Sequence, residues 1–347
     1  MNHVTRSALT LLALSVAVPQ ALAMSKTPDP LPDTPSVNKT VRFIAIGDMG
    51  TGSDGQYKVA AAIETVCAER GCDFALGLGD NIYESGVDAV DDLQFVTKFE
   101  DPYKNLNFPF YMTLGNHDNT WLFAGDGLDN DKGDIQVRYT YREGRPSNKW
   151  TMPARYFTFN APLNDEQPLV TFLSMDSNPL AAVGDADAEY WQLPYKKKEA
   201  EWIDNALSTS AAPWKIAFAH HPFLSNGNHG NAGMYDGVPG AGVVYYDMVK
   251  DHVCNKADVI ITGHDHDMQL LKAVDKCGKT VHMVSGAGAK ARSLKDENRN
   301  EVYWQQGSTL GFFYIEIVGD EFRATAYTVN GTSGEMTRAF DQTLTRQ

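Results

Sequence analysis

Residues 74–83 read FALGLGDNIY, an apolar run that stops abruptly at a glycine and an aspartate. A run of apolar and small residues without polar alternation is typical of a strand that is buried on both faces of a sheet. Asp80 then follows the carboxyl end of that strand, which is where open α/β sheets bind their ligands. The stretch therefore predicts a buried strand at Phe74–Leu78 with a functional residue at its end.

Four more apolar runs end in polar residues that are able to bind a metal, two in each half of the chain. They end, in chain order, at Gly47-Asp48, at Gly115-Asn116-His117-Asp118, at His220-His221-Pro222 and at Gly263-His264-Asp265-His266. Because the carboxyl ends of parallel strands meet at one edge of a sheet, we expect these clusters to converge.

Segments with helical spacing separate the apolar runs. The predicted helices are Tyr57–Ala68, Asp88–Phe99, Glu199–Leu207 and Val243–Val253. Gly311–Val318 and Arg323–Val329 alternate with period two, which predicts a closing antiparallel hairpin around Gly319-Asp320. The alternation predicts one α/β domain over residues 41–347. Within it, the Gly/Asp-rich segment Ala124–Asp134 lacks the spacing of a calcium-binding loop and is predicted to be a solvated loop.

The residues that follow the apolar runs form a potential metal-binding set. It comprises two aspartates, an asparagine and three histidines, namely Asp48, Asp80, Asn116, His220, His264 and His266. Each residue alone has a structural explanation, such as a turn or a helix cap, but the ordered series favours a shared site. Carboxylates combined with imidazoles suit iron, manganese or zinc rather than calcium. A carboxylate such as Asp80 is able to bridge two cations, and a metal pair can clamp a phosphoryl group.

Taken together, these motifs resemble the series found in calcineurin-like metallophosphoesterases, from about Arg42 to Ile317. Tyr83, three residues after Asp80, is similar to the tyrosine that marks the purple acid phosphatases. The spacing of His220 to His229 and the segment Ser285-Gly286-Ala287-Gly288 resemble the small, tartrate-resistant type of that family. The resemblance implies a four-layer α/β/β/α sandwich with two packed mixed sheets.

The resemblance also implies a binuclear centre of Fe(III) and a divalent metal, which is iron, zinc or manganese. By resemblance, the ligands of the ferric ion are Asp48, Asp80, Tyr83 and His266, and those of the divalent ion are Asp80, Asn116, His220 and His264. His117 and His229 match catalytic and substrate-binding histidines, and Asn116 is also expected to contact substrate. His221 stands where the small type has a tyrosine, and it is assigned to substrate binding.

The implied reaction is the hydrolysis of small phosphomonoesters by a metal-activated hydroxide, with His117 or His229 protonating the leaving group. Two alternatives stay open. The first is a phosphodiesterase or nucleotide-cleaving enzyme on the same scaffold, which would differ in the loops Asn119–Asn148 and Asn226–Gly242. The second is a catalytically silent phosphate-binding protein, which requires a broken ligand set, whereas every ligand position here matches.

The start of the chain predicts export. Arg6 precedes the apolar stretch Ala8–Val18, and Ala21-Leu22-Ala23 fits a signal peptidase site. We therefore interpret residues 1–23 as a signal peptide and residues 24–40 as a flexible lead-in, and we expect a secreted or periplasmic protein. No later segment reaches the length of a membrane-spanning helix, so no membrane span is expected. The net charge of −14 argues against nucleic acid as a bulk partner.

The four cysteines allow three disulfide pairings. Export favours disulfides, and we prefer the local pairing of Cys67 with Cys72 and of Cys254 with Cys277. In the loop-entropy description, these bonds stabilise the fold by about 2 and about 3 kcal/mol. The rival interpretation is a zinc site made from all four cysteines, but the spacing provides no CxxC pair.

Overall fold

The apolar runs of the sequence form strands close to their predicted bounds. The structure is a computed structural model and describes residues 39–346. The predicted signal peptide and nearly all of the predicted lead-in lie outside the described residues, and the boundary of the catalytic domain at residue 41 stays a prediction. The strands of the described part are, in chain order, β1 (Thr40–Ile46), β2 (Phe74–Leu78), β3 (Phe110–Thr113), β4 (Trp150–Thr151), β5 (Phe157–Ala161), β6 (Val170–Ser174), β7 (Trp214–Phe218), β8 (Val259–Thr262), β9 (Met268–Leu271), β10 (Val281–Ser285), β11 (Val302–Gln306), β12 (Leu310–Val318), β13 (Glu321–Val329) and β14 (Met336–Thr345).

The helices lie between the strands and include several short turns. The α-helices are α1 (Asp54–Arg70), α2 (Asn130–Tyr139), α3 (Asn178–Ala181), α4 (Gln192–Thr209) and α5 (Val243–Met248). Single π-helical turns occur at Val96–Glu100 and Val249–Val253, and 3₁₀ turns occur at His117–Asn119, Ala188–Tyr190, Tyr235–Gly237 and Asp275–Cys277. Among the described residues, none of these helices has the length and apolar character needed to cross a membrane.

The strands form two mixed sheets, as predicted, and each sheet has seven strands. The first has the order β14-β13-β12-β1-β2-β3-β4, in which β1 to β4 are parallel and β12 runs antiparallel to β1. The second has the order β11-β9-β10-β8-β7-β6-β5. The four neighbouring strands β10-β8-β7-β6 are parallel, whereas the pairs β5–β6, β9–β10 and β9–β11 are antiparallel. The predicted closing hairpin is the antiparallel pair β12–β13.

Packing on both faces explains why the central strands are mostly apolar and lack a regular polar alternation. The ring of Phe172 in β6 lies 5.2 Å from the ring of Phe43 in β1, so this side chain belongs to the core between the sheets. Its neighbour Leu173 faces the other way, into a second core with Ile203 of α4 and Met248 of α5. Successive strand residues face opposite sides, so a strand that is covered on both sides is a nearly continuous apolar run. The helix α1 packs on β12 and β13 and completes the α/β/β/α order.

Two local predictions need correction. The helix predicted over Asp88–Phe99 begins only at Gln94, because the Asp92 carboxylate accepts a hydrogen bond from the Gln94 backbone N–H (2.9 Å) and so caps the helix there. The solvated loop predicted over Ala124–Asp134 ends at residue 129, and α2 begins at Asn130. Asn130 is buried, and its backbone N–H and its side-chain amide both donate to Asp185 Oδ2.

The cysteine pairing is confirmed. Cys67 is bonded to Cys72, which ties the last turn of α1 to the segment before β2, and Cys254 is bonded to Cys277. All four cysteines are thereby used. The alternative of a four-cysteine zinc site is wrong.

Candidate metal centre

The predicted ligands lie at one end of the two sheets, immediately after β1, β2, β3, β7 and β8. Main-chain hydrogen bonds join these strand ends: the Asp48 N–H donates to the Gly79 carbonyl (3.0 Å), and the Gly263 N–H donates to the His220 carbonyl (3.0 Å). Asp48, Asp80 and His264 have positive φ angles of 56°, 51° and 69°. Such left-handed conformations are unfavourable for residues other than glycine and cluster at functional sites.

Three electron-pair donors converge around one point in the first group of ligands. His220 Nδ1 lies 2.8 Å from the Leu78 carbonyl oxygen and donates its proton there, so Nε2 carries a lone pair. That Nε2 lies 2.8 Å from Asn116 Oδ1 and 3.0 Å from His264 Nδ1. Asn116 in turn donates from Nδ2 to the Gly125 carbonyl (2.7 Å), which turns Oδ1 toward the two imidazoles. The arrangement fits a cation, which all three atoms can coordinate at once.

The second group contains a phenol. The Tyr83 hydroxyl donates to Asp48 Oδ1 at 3.0 Å and lies 3.1 Å from His266 Nε2. Tyr83, Asp48 and His266 are all buried. Asp80 lies between the two groups: its Oδ1 accepts the His117 backbone N–H (2.9 Å) and is 3.5 Å from His220 Nε2. This is the position expected of a carboxylate that bridges two metals.

The electrostatics of the site favour a bound cation. Burial raises the pKa of Asp48 to about 8. Burial, together with the Asp48 and Asp80 carboxylates, raises the pKa of Tyr83 well above its ordinary value. Burial likewise lowers the pKa of the His264 imidazole well below the usual range, so this ring is neutral and able to act as a ligand. For Asp80, burial is outweighed by the nearby His220 and His117, and the pKa is about 2. A cation stabilises the ionised carboxylate and phenolate forms that burial alone disfavours.

His117 lies at the edge of this buried cluster. Its Nδ1 is 2.6 Å from the Glu84 carbonyl oxygen, and its ring centroid is 4.4 Å from that of Tyr83. The side chain is 16% exposed. Lys290 covers the same area, with Nζ 3.0 Å from Glu84 Oε1 and 3.6 Å from the centre of the Tyr83 ring.

The other two predicted histidines have different surroundings. His229 is partly exposed, its ring lies 4.1 Å from that of His264, and its Nδ1 is 2.8 Å from Asp236 Oδ1. His221 is buried behind His264, at 4.6 Å between ring centroids, with Nδ1 2.9 Å from Ser177 Oγ. Burial lowers the pKa of His221 well below its usual value. The assignment of His221 to substrate binding stays a prediction, since this ring has little surface to offer a substrate.

Several residues around the site were not identified from the sequence. The buried Asp118 carboxylate accepts hydrogen bonds from the backbone N–H groups of Asn81, Ile82 and Gly115, and so fixes two ligand-bearing turns relative to each other. The position of Asp118 within the Gly115–Asp118 motif was the feature of the sequence that could have indicated this supporting role. Asp236 had no comparable signal, because it lies in a loop without recognisable spacing.

The two packed mixed sheets, with carboxylates and imidazoles converging at their strand ends, define a phosphoesterase of the metal-dependent class. A model of the calcineurin-like phosphoesterase family matches residues 41–268, and the chain belongs to that family. Purple acid phosphatase 3 of Arabidopsis thaliana is 28% identical over 302 residues, which cover 84% of this chain and 75% of that protein. Tartrate-resistant acid phosphatase type 5 of Oryctolagus cuniculus is 26% identical over 331 residues, which cover 89% and 93%. These relatives confirm the predicted resemblance to the purple acid phosphatases.

Solved structures confirm the fold. GAP50, the anchor in the inner membrane complex of Plasmodium, matches with a TM-score of 0.67 at 21% identity, over 89% of each chain. The purple acid phosphatase PPD1 from yellow lupin (Lupinus luteus) seeds matches with a TM-score of 0.59 at 15% identity, over 89% of this chain and 54% of that one. At these identities the likeness concerns the fold alone.

Proposed function

We propose that the protein is an acid phosphatase of the purple type, which hydrolyses small phosphomonoesters at a centre of Fe(III) and a divalent iron, zinc or manganese ion. The observation that carries the proposal is the position of Tyr83, whose hydroxyl lies within 3.1 Å of both Asp48 and His266 in a cluster of metal-ligand side chains. A buried phenol beside two other donors suits a trivalent metal, since a strong cation is needed to hold it as phenolate.

The side chains divide into two proposed ligand sets. Asp48, Tyr83 and His266 would hold the ferric ion, Asn116, His220 and His264 would hold the divalent ion, and Asp80 would be shared between them. When bound, the two metals supply Lewis acidity toward the phosphoryl group and lower the pKa of the attacking water.

The chain's own residues orient these groups and provide a proton. Hydrogen bonds to the Leu78 carbonyl and from the His117 backbone N–H hold His220 and Asp80 in place without any metal. His117 donates from Nδ1 to the Glu84 carbonyl, and His229 pairs Nδ1 with the Asp236 carboxylate. With Nδ1 protonated, Nε2 carries a transferable proton when the ring is in its imidazolium form. Both side chains are partly exposed beside the buried ligands, as a proton donor to a departing alkoxide must be.

Export is part of the proposal. The two disulfides support the interpretation of residues 1–23 as a signal peptide, because disulfides form and persist in oxidising compartments outside the cytoplasm. We therefore place the mature enzyme in the periplasm or in the external medium.

The colour of the iron-loaded protein tests the proposal. A phenolate bound to ferric iron absorbs visible light by charge transfer, so the oxidised wild type should be purple or pink and the Tyr83→Phe variant should be colourless. Tyr111→Phe is the matched control, because Tyr111 is equally buried, its hydroxyl has no hydrogen-bond partner among the described residues, and it lies outside the site. Each variant loses one oxygen and should keep its fold, since near-isosteric changes cost less than about 1.5 kcal/mol.

The proposal fails if the fully iron-loaded wild type is colourless or if Tyr83→Phe keeps the band. Hydrolysis provides the second measurement. The metal-loaded protein should cleave p-nitrophenyl phosphate faster than bis(p-nitrophenyl) phosphate. The opposite order would favour the phosphodiesterase alternative.

A further inference from the structure

A cavity of about 640 Å³ adjoins the proposed metal centre. His229 lines it, and the His229 ring is 4.1 Å from that of the ligand His264, so the cavity begins where the cluster of buried ligands ends. The cavity volume is within the range of sites that bind small molecules.

Three cations line this cavity, namely Arg292, Lys295 and Arg299. Among residues 39–346, none of them forms an ion pair with a carboxylate: Arg299 donates to the Ser225 and Gly227 carbonyls, and Arg292 Nη1 lies 3.4 Å from His229 Nε2.

Asp236 is the one carboxylate among the described lining residues, and it is paired with His229 at 2.8 Å. In a chain of net charge −14, three cations that form no ion pair within the described residues concentrate positive potential around one concave surface.

We infer that this cavity binds a second anionic group of the substrate while its ester phosphate occupies the metal centre. The inference rests on the proposed function and narrows it to small phosphomonoesters that also carry a carboxylate or another phosphate. Arginine guanidinium groups bind either anion through two parallel hydrogen bonds, and Lys295 adds a flexible point charge. The acidic surface as a whole disfavours a long polyanion, which would extend beyond the cavity.

Matched substrate pairs test the inference. Glycerol 3-phosphate and 3-phosphoglycerate are both esters of a primary alcohol and differ by a hydroxymethyl group against a carboxylate. Glucose 6-phosphate and glucose 1,6-bisphosphate form a second pair, in which the added anion is a phosphate that lies farther from the shared ester phosphate. The metal-loaded wild type should show a kcat/KM on the order of tenfold higher for the doubly anionic member of at least one pair, the size expected of one charge-assisted contact. The preference should lie mainly in KM and should fall as ionic strength rises.

Variants assign the preference to this cavity. Lys295→Ala and Arg292→Ala should each reduce the ratio of kcat/KM within the pair toward one. Lys197→Ala is the control, because Lys197 is an exposed lysine on α4 outside the cavity lining, and the same loss of charge there should leave the ratio unchanged.

The possible results separate the two proposals. If both members of each pair are hydrolysed at equal kcat/KM, the second anionic site is refuted while the phosphatase stands. If the preference is the same in Lys295→Ala, in Arg292→Ala and in wild type, the anion binds elsewhere and the assignment is overturned. A preference seen only with a phosphoprotein substrate would also overturn it. If the metal-loaded protein hydrolyses no monoester at all, the proposed function fails and the subsite fails with it.

Discussion

His282 of β10 should make the protein less stable in acid. The side chain is 2% exposed, and neither ring nitrogen has a hydrogen-bond partner among the described residues. Its ring stacks on Phe223 at 5.4 Å between centroids. Burial, with a smaller contribution from the charge of Lys276, lowers the pKa of His282 from 6.5 to about 3.

The direction and size of the effect follow from proton linkage. Between pH 6.5 and about 3, the unfolded chain binds a proton at this histidine that the folded state excludes. The contribution of the neutral His282 ring to the free energy of unfolding is therefore fully present above pH 6.5 and is lost as the pH falls toward 3. Integration of the linkage relation between these two pKa values gives a loss of about 2 kcal/mol at pH 5 and about 3 kcal/mol at pH 4.

Urea unfolding of three proteins at pH 7.5 and pH 5 measures this loss. His282→Phe and His282→Gln both remove the titrating ring, so each should lose about 2 kcal/mol less than wild type between the two pH values. Protonation of the proposed metal ligands is common to all three proteins and cancels in the comparison. At pH 7.5, the Phe variant should be at least as stable as wild type, because it removes two buried unpaired nitrogens, whereas the Gln variant keeps a buried polar group. An equal loss of stability in all three proteins would refute the reasoning.

Three further substitutions test the site and its support. Asp80→Ala should lose at least one metal equivalent by elemental analysis and nearly all activity, because both proposed sites share this carboxylate; two retained metals would contradict that role. His117→Gln should slow alkyl phosphates by roughly 10²–10⁴-fold and activated aryl phosphates much less, because only the alkoxide needs a proton. Equal losses in rate would indicate a binding role instead. Glu199→Gln should stabilise the protein more at pH 7 than at pH 5. Burial beside Asp176 raises the pKa of Glu199 well above its ordinary value, so the folded state keeps a proton that the unfolded chain loses above about pH 4.5. The gain in stability should rise by at most about 1.4 kcal/mol per pH unit in urea unfolding, and a gain that is equal at both pH values would contradict the assignment.

The central strands could be predicted because burial on both faces leaves a plain signal in the sequence. Phe74–Leu78 and Val259–Thr262 are buried at every position and have the predicted bounds. The strand β14 (Met336–Thr345) escaped prediction, because it lies at the edge of its sheet and consists of exposed and partly exposed residues that include Arg338 and Asp341. A strand that is half solvated carries too few apolar residues to be distinguished from a loop.

The positions of the proposed ligands follow from local sequence, whereas the positions of the surrounding charges do not. Asp48, Asp80 and His264 each lie two residues after the end of a buried strand, so local sequence places them at the sheet edge. Asp236 and Arg292, by contrast, reach the site from loops that tertiary packing brings together, and both contact His229. Nothing in the spacing of those loops indicates where they end up, so the charge distribution around the centre required the structure.

The side chains of the proposed ligands are oriented by hydrogen bonds that involve no metal. His220 is fixed by the Leu78 carbonyl, Asn116 by the Gly125 carbonyl, and Asp48 Oδ2 by the His264 backbone N–H at 2.8 Å. Asp118 then holds the turns after β2 and β3 together through backbone N–H donors from both. Groups held in this way do not have to be ordered when a metal or a substrate binds, so less binding free energy is spent on their organisation. The strained backbone at Asp48, Asp80 and His264 is therefore maintained by the strand ends themselves. For this reason the site can be located from the sequence, even though the proposed chemistry requires added metals.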